Sequence, residues 1–325
     1  MAADKSPKTL QDAIRYYSDL DTCQRTLADA RWPDGVECPT CGRKDVTYLA
    51  NQRRWQCKTQ HPKRQFSVKV GSIFEDSPIG LDKWFTAIWL IASAKNGISS
   101  YELHRSIGVT QKTAWFMLQR IRLAMQTKTF NKIDGDVEVD ETYIGGKARN
   151  MHASKRKELF GGSHRRAYMG KVAVLGLLDR HGNDGTSQIR TAIVNGRKKG
   201  HLQPVIREHV DAGATLHTDA HFSYQELGRD YVHNVIDHAE AYVDGQVHTN
   251  GLENFWSLLK RAIKGTYVSV EAFHLFRYLD EQTFRFNSRK ATDAARFADL
   301  LTKLAGKRLT YASLTGEEAR AVGLA

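Results

Sequence analysis

No stretch of this chain approaches the ~18 uninterrupted apolar residues of a membrane span. The richest one, Phe85 to Ala94, is short and flanked by lysines. The N-terminus, MAADKSPKTLQDA, lacks the apolar core of a signal peptide, so a cytoplasmic protein is expected. Cysteine is scarce: there are 4 in 325 residues, and three of them fall in one local cluster. That excludes a disulfide framework and suits metal binding better. Acidic residues are in deficit, with 36 Asp and Glu against 48 Lys and Arg, a formal net charge of +12. A polyanion is the natural partner and nucleic acid the first expectation, with plain solubility as the competing account. Internal repeats and low-complexity tracts are absent. The hydrophobic content of 41% suits packed cores, and the length allows two or three domains.

Residues 1–30 carry Leu10, Ile14, Tyr17 and Leu20 at helical spacing, which predicts a lead-in helix. Cys38-Pro-Thr-Cys41-Gly42 is a CxxC knuckle, and Cys57-Lys-Thr-Gln-His61 supplies a second pair after a spacer long enough for two short strands. Four soft N and S donors on two tight turns form a zinc-ribbon pattern, with one structural Zn²⁺ doing the work of a hydrophobic core. The bland alternative leaves Cys57 and His61 incidental. Arg53, Arg54, Lys58, Lys63 and Arg64 surround Trp55 and Phe66, so the module is expected to touch DNA as well as hold metal. Cys23 stands apart and reads as a small buried hydrophobe. From Leu81 to Met125, three helices with a turn at Gly108 before the last read as a helix-turn-helix or as an ordinary helical hairpin. In the first case Gln111, Lys112, Gln119 and Arg122 would be available to phosphates or base edges.

After Lys132 the periodicity becomes that of strands. Asp136 to Asp140 alternates strictly, with Val137 and Val139 on one face and Asp136, Glu138 and Asp140 on the other. Further strands are predicted at Lys171–Leu178, Gln188–Val194, Ala214–Asp219 and Tyr231–Ile236. A helix is predicted over His201–Val210, another between the fourth and fifth strands, and a long one from about Asn250. This is the order of a ribonuclease H-like domain, an α/β fold around a mixed five-stranded sheet. Between the first two strands, 147–171 is basic and Gly-rich, either a DNA-contacting arm that includes Lys155, Arg156, Lys157, Arg165 and Arg166, or a solvated loop.

On the last of these helices Leu252, Phe255, Trp256, Leu259 and Ile263 form an apolar stripe. Asn250, Glu253, Ser257 and Lys260 form a polar one about a third of a turn away. Alone, that second stripe reads equally well as a solvated face. In the inferred topology, however, Asp140, Asp219 and Glu253 meet, and three acids in contact repel unless cations neutralise them. Two Mg²⁺ or Mn²⁺ ions for phosphoryl transfer are the expected reason, with Asp140 bridging both and Lys260 holding a phosphate beside Arg261. His217, Glu138 and His248 are further candidates, as readily structural as functional.

The segments WPDGVECPTCG, RQFSVKVGSIFEDS, GVTQKTAWFMLQRIR, VEVDETYIGGK, HTDAHFSY, HTNGLENFWSLLKRAIKGTY and RYLDEQTFRFNSR resemble the bacterial zinc-ribbon insertion-sequence transposases with an ISXO2-like DDE domain, the IS1595 group. The resemblance spans roughly residues 30–290. It implies binding of double-stranded DNA at terminal inverted repeats, strand cleavage and 3′-end transfer into target DNA, in a nucleoid-associated homo-oligomer (a dimer or larger) without membrane contact. Asp140 and Asp219 match the first two acids of that group. Its third residue is often Asn, so Asn250 and Glu253 both stand as candidates, and Asn250 is alternatively a helix cap. The expected organisation is a lead-in at 1–30, a zinc ribbon at 31–75, a helix-turn-helix at 76–130, a catalytic domain at 131–270 and C-terminal helices at 271–325, in which Arg277, Arg285, Asn287 and Arg289 mix packing with DNA contact. The rivals are a ribonuclease H-like nuclease or resolvase that cuts without joining, and a domesticated sequence-specific DNA-binding regulator.

Overall fold

A computed structural model describes residues 6–126, 131–146, 152–154, 157, 170–182, 185–236 and 249–316. The chain divides into two compact units, Met1–Gln126 with Lys290–Ala325, and Thr127–Arg289. The C-terminal block expected at 271–325 is therefore split between them.

In the first unit the single lead-in helix is two, α1 (Leu10–Tyr16) and α2 (Leu20–Arg31). The break is chemical: the Asp19 carboxylate accepts Thr22 N at 2.9 Å and starts a new helix. Of the predicted stripe Tyr17 is buried, whereas Ile14 and Leu20 are exposed; Ala13, Cys23 and Leu27 are buried instead. Strands β1 (Val46–Leu49), β2 (Arg54–Cys57) and β3 (Gln65–Phe66) form an antiparallel sheet in that order. Trp55 and Phe66, expected to face DNA, are instead buried and pack with Trp32 as the small aromatic core of the ribbon.

Helices α3 (Leu81–Ser93), α4 (Ser100–Ile107) and α5 (Gln111–Met125) follow. Ser99 and Glu102 make a capping box at the start of α4, Gly108 ends it at φ +63°, and Thr110 caps α5. The turn between α4 and α5 is thus set by caps and one left-handed glycine. The terminal segment belongs to this unit: Ile73 N donates to Leu304 O, Arg120 Nε donates to Leu309 O, and Phe297 packs on Tyr17, Phe85 and Trp89.

The second unit is built on β4 (Asp136–Ile144), β5 (Val172–Asp179), β6 (Gln188–Val194), β7 (Thr215–Asp219) and β8 (Val232–Ile236), in the spatial order β6-β5-β4-β7-β8. β4, β5 and β6 pair antiparallel, and β4, β7 and β8 pair parallel. One face packs Val137, Val139, Leu175, Leu177 and Leu216 with α6 (Lys199–His209). The other packs Val174, Leu178 and Ile189 against α7 (Asn250–Ala262) and α8 (Leu275–Asn287). No α-helix separates β7 from β8 among the described residues. Two 3₁₀ turns, at Phe222–Tyr224 and Leu227–Arg229, fill a link too short for a full helix and back. Asn287 covers part of the β6 edge by accepting Ile189 N at 2.8 Å and donating to Ile189 O at 3.0 Å. Arg289 donates to Ser187 O, and Arg277 and Arg285 are buried, so this group packs the fold.

Two glycines set how closely α7 approaches the sheet. A Cβ on Gly176 would lie 2.6 Å from Trp256 Cζ2 and 2.7 Å from Leu252 Cδ2, and one on Gly251 would lie 2.9 Å from Glu138 Oε2. Gly176→Ala is expected to push α7 off the sheet and cost about 1–3 kcal/mol, the usual scale of overpacking, read as a lower urea midpoint at an unchanged m-value.

Candidate functional site

The first site is local. Cys38 and Cys41 sit on a knuckle closed by Gly42 N to Cys38 O at 2.8 Å and by Cys38 N to Arg43 O at 2.9 Å. Cys57 ends β2, and His61 follows in the turn to β3. Their donor atoms all lie within 4.8 Å of one another, with Cys38 Sγ 3.5 Å from His61 Nε2 and Cys41 Sγ 3.7 Å from Cys57 Sγ. A tetrahedron with Zn–S bonds of about 2.3 Å has edges of about 3.8 Å, so the four fit a structural Zn²⁺. His61 Nδ1 lies 2.6 Å from Pro62 O, and donation there leaves Nε2 turned to the cluster as an acceptor.

Of the four α5 residues expected at DNA in a helix-turn-helix, two are buried. Gln119 and Arg122 are buried, 0% and 1% exposed, because α5 turns them inward, and they are not available to DNA there. Lys112 is exposed, with its ammonium 4.5 Å from the Tyr311 ring centroid, and Gln111 donates to Ser100 Oγ at 2.8 Å. Of the basic arm, Lys157 is exposed, whereas Lys155, Arg156, Arg165 and Arg166 lie outside the described residues, as does His248.

The second site gathers around Asp140. Its register partner on β5 is Gly176, and through that gap Trp256 Nε1 donates to Asp140 Oδ2 at 2.9 Å. A cleft of about 590 Å³ opens beside it, lined by Asp140, Thr142, Glu253, Ser257, Lys260, Arg261 and Lys264, among others. Glu253, Ser257 and Lys260 of the polar stripe thus line this cleft and Asn250 does not, while the apolar stripe of Leu252, Phe255, Trp256 and Leu259 is buried. Asp219 ends β7, the parallel neighbour of β4, and its Oδ1 accepts His221 N at 3.1 Å, which turns the chain. Asp140, Glu253 and Lys260 therefore share one cleft. Asp219 approaches from the adjacent strand end, close enough to add to the electrostatic load on Asp140. The three carboxylates do not form a converged donor group: among the described residues, only the Cys38 cluster does so.

Asp140 is pushed up to about 6 by burial first, then by the charges of Glu141 and, more weakly, Asp219, with the Trp256 hydrogen bond opposing. Burial lowers Lys260 from its ordinary value, with Asp140 opposing. Oxygen-only donors and mutual repulsion are what a hard divalent cation would relieve, so this donor set fits Mg²⁺ or Mn²⁺.

Sequence reasoning missed several participants. Glu141, on the other face of β4, is held by Arg197 Nε and the Tyr224 hydroxyl. Trp256 was placed correctly on the apolar stripe, but its indole also serves Asp140. Asn250 is the first residue of α7 and does not cap it. That role belongs to Glu138, whose Oε2 accepts Leu252 N at 3.0 Å and whose Oε1 accepts Arg180 Nε at 3.0 Å. His217 is buried beside Arg180 and Asp136, at 3.4 and 3.5 Å. Glu138 and His217 thus act as supports. The signal for Glu138 was a charged residue on the sheet face that α7 covers.

A sheet of this order, with acids on its first strand, its fourth strand and its closing helix, defines a ribonuclease H-like domain, here carried with a zinc ribbon. Residues 132–287 match the ISXO2-like transposase domain, and residues 19–59 match the transposase zinc-ribbon domain. A protein described as an uncharacterized protein in transposable element ISH50 of Halobacterium salinarum is 29% identical over 244 residues, which cover 72% of this chain and 80% of that one. Both matched stretches are those of insertion-sequence transposases with an ISXO2-like domain, the IS1595 family. The catalytic match extends through α8, beyond the boundary expected at 270, and the zinc-ribbon match stops short of His61, whose place as fourth donor rests on geometry. No helix among the described residues is long and apolar enough to cross a membrane.

Stripping zinc with a strong chelator is expected to unfold the ribbon and expose Trp55 and Trp32, read as a red shift in tryptophan emission that Zn²⁺ reverses. A second expectation concerns Asp140. Unfolded, its carboxyl ionises near 3.8 and folded near 6. The native state binds the extra proton between those values, so this contribution to stability is lost as pH rises through that window. In urea titrations without divalent cation, the unfolding free energy of wild type minus that of Asp140→Asn should fall from about pH 4 to about pH 6 and level off above.

Proposed function

We propose that this transposase cleaves the ends of its element and joins the free 3′ ends to target DNA, using divalent ions held by Asp140, Asp219 and Glu253. The observation that carries the reading is one cleft lined both by Asp140 and Glu253 and by Lys260, Arg261 and Lys264. A pair of Mg²⁺ ions there would activate water or a 3′-hydroxyl and stabilise the leaving oxygen. The protein's own part is positional. Trp256 fixes the Asp140 carboxylate, Glu138 fixes the start of α7 and hence the height of Glu253, and Lys260 meets the scissile phosphate as a point charge. Asn250 is exposed one turn before Glu253 and is the alternative third ligand. Lys112 and Lys157, with the remaining lysines and arginines of 147–171, supply sequence-independent backbone contacts, and synapsis of two ends calls for a dimer or larger.

The test is cleavage and joining on the element's terminal DNA with Mg²⁺ present or chelated, including a pre-cut end to isolate joining. Asp140→Ala, Asp219→Ala and Glu253→Gln should each reduce joining by at least about 10²-fold, the scale of losing one electrostatic stabiliser of a transition state, while end binding is retained. Cutting without joining of the pre-cut end would assign a nuclease instead. An Asn250→Ala loss with full Glu253→Gln activity would move the third ligand to Asn250.

A further inference from the structure

We propose, resting on the metal-dependent reading above, that Arg197 is a positioning residue: anchored by Glu141 and Tyr224, it orients Asp219 toward Asp140 and thereby sets the divalent-cation affinity of the site.

Glu141 follows Asp140 on β4, so its side chain lies on the opposite face of the sheet. There it is 1% exposed, and a carboxylate so buried requires partners. It has two: Arg197 Nε meets Oε1 and the Tyr224 hydroxyl donates to Oε2. With its side chain 1% exposed and both oxygens held, Glu141 serves as an anchor. From that anchor the Arg197 guanidinium reaches past the end of β7, its Nη2 lying 3.7 Å from Asp219 Oδ2. A planar fork with diverging N–H groups can address two carboxylates at once, which a lysine ammonium does not reproduce. The other oxygen of Asp219 accepts His221 N at 3.1 Å, so the carboxylate is held from two sides.

The loop carrying Arg197 is itself fixed. Gly196 precedes it at φ +120°, the Ser223 hydroxyl donates to the Arg197 carbonyl, and Gln203 Nε2 donates to Ser223 O and Gln225 O at 3.0 and 2.8 Å. The link between β6 and α6 is thus tied to the turn that follows Asp219. Arg197 and Asp219 remain 31% and 28% exposed, so their pairing contributes little to stability, and the geometry points to control of ligand orientation.

The experiment uses full-length, zinc-loaded protein and titrates Mn²⁺ by the electron paramagnetic resonance signal of the free ion, alongside thermal melting. Asp140→Ala defines which Mn²⁺ site is the catalytic one. Arg197→Lys keeps the charge and loses the fork, and Glu141→Gln loosens the anchor. Each is expected to weaken that site by about 10- to 100-fold, the range for outer-shell partners of metal ligands, and DNA joining should recover at high Mn²⁺. Arg197→Lys is partly exposed and should melt as wild type does, which covers the case of a poorly folded Glu141→Gln. Unchanged or tighter Mn²⁺ binding in Arg197→Lys overturns the inference alone. Absence of any Asp140-dependent site in the wild type overturns the metal-dependent reading beneath it as well.

Discussion

The approach of α7 to the sheet is the constraint on which the candidate catalytic site depends. Neither Gly176 on β5 nor Gly251 on α7 presents a Cβ, so Trp256 and Leu252 come down onto β5, and the first turn of the helix meets the Glu138 carboxylate. Once the apolar stripe of the helix is buried, the helical period leaves Glu253, Ser257 and Lys260 no direction but the cleft. Packing on one side of the helix therefore aims chemistry on the other. A single added methyl at either glycine would alter both.

Electrostatics completes what packing begins. Five carboxylates, Asp136, Glu138, Asp140, Glu141 and Asp219, crowd two neighbouring strands. Their partners differ in kind. Glu138 has Arg180 and a backbone N–H at a helix start, where negative charge is favoured. Glu141 has Arg197 and a tyrosine hydroxyl. Asp140 has the neutral indole of Trp256, and it is the carboxyl that burial pushes up to about 6. Arginines thus stand on the flanking acids, whereas the described partner of the central one is uncharged. The proposed divalent-cation site rests on that asymmetry.

Much of this was legible in the residues. The zinc cluster was, because its donors lie within two short turns and their spacing alone dictates a tetrahedron. The alternating valines of β4, the cap residues around Gly108 and the two stripes of α7 were legible for the same reason, since each is a local periodicity. Expectations went astray where a longer-range choice intervened. Asp19 captured the amide of Thr22 and broke one helix into two. Gln119 and Arg122, which a helix-turn-helix would offer to DNA, are polar but turned inward. Trp55 and Phe66, interleaved with arginines, resembled stacking platforms but fill the core of a ribbon too small to have any other. The link after Asp219 was expected to be helical and is closed by two 3₁₀ turns.

By itself the sequence determined the zinc donors and the apolar faces of β4 and α7, because these follow from side-chain chemistry and from periods of two or 3.6 residues. Only the tertiary structure decided that Trp256 serves Asp140 across 116 positions, that Glu138 seats a helix 114 positions away and that Arg197 answers Glu141 across 56. Such partnerships follow no sequence period. They arise when strands pair and a helix settles at a height set by two absent side chains, and the burial that results makes each carboxylate require the partner it has.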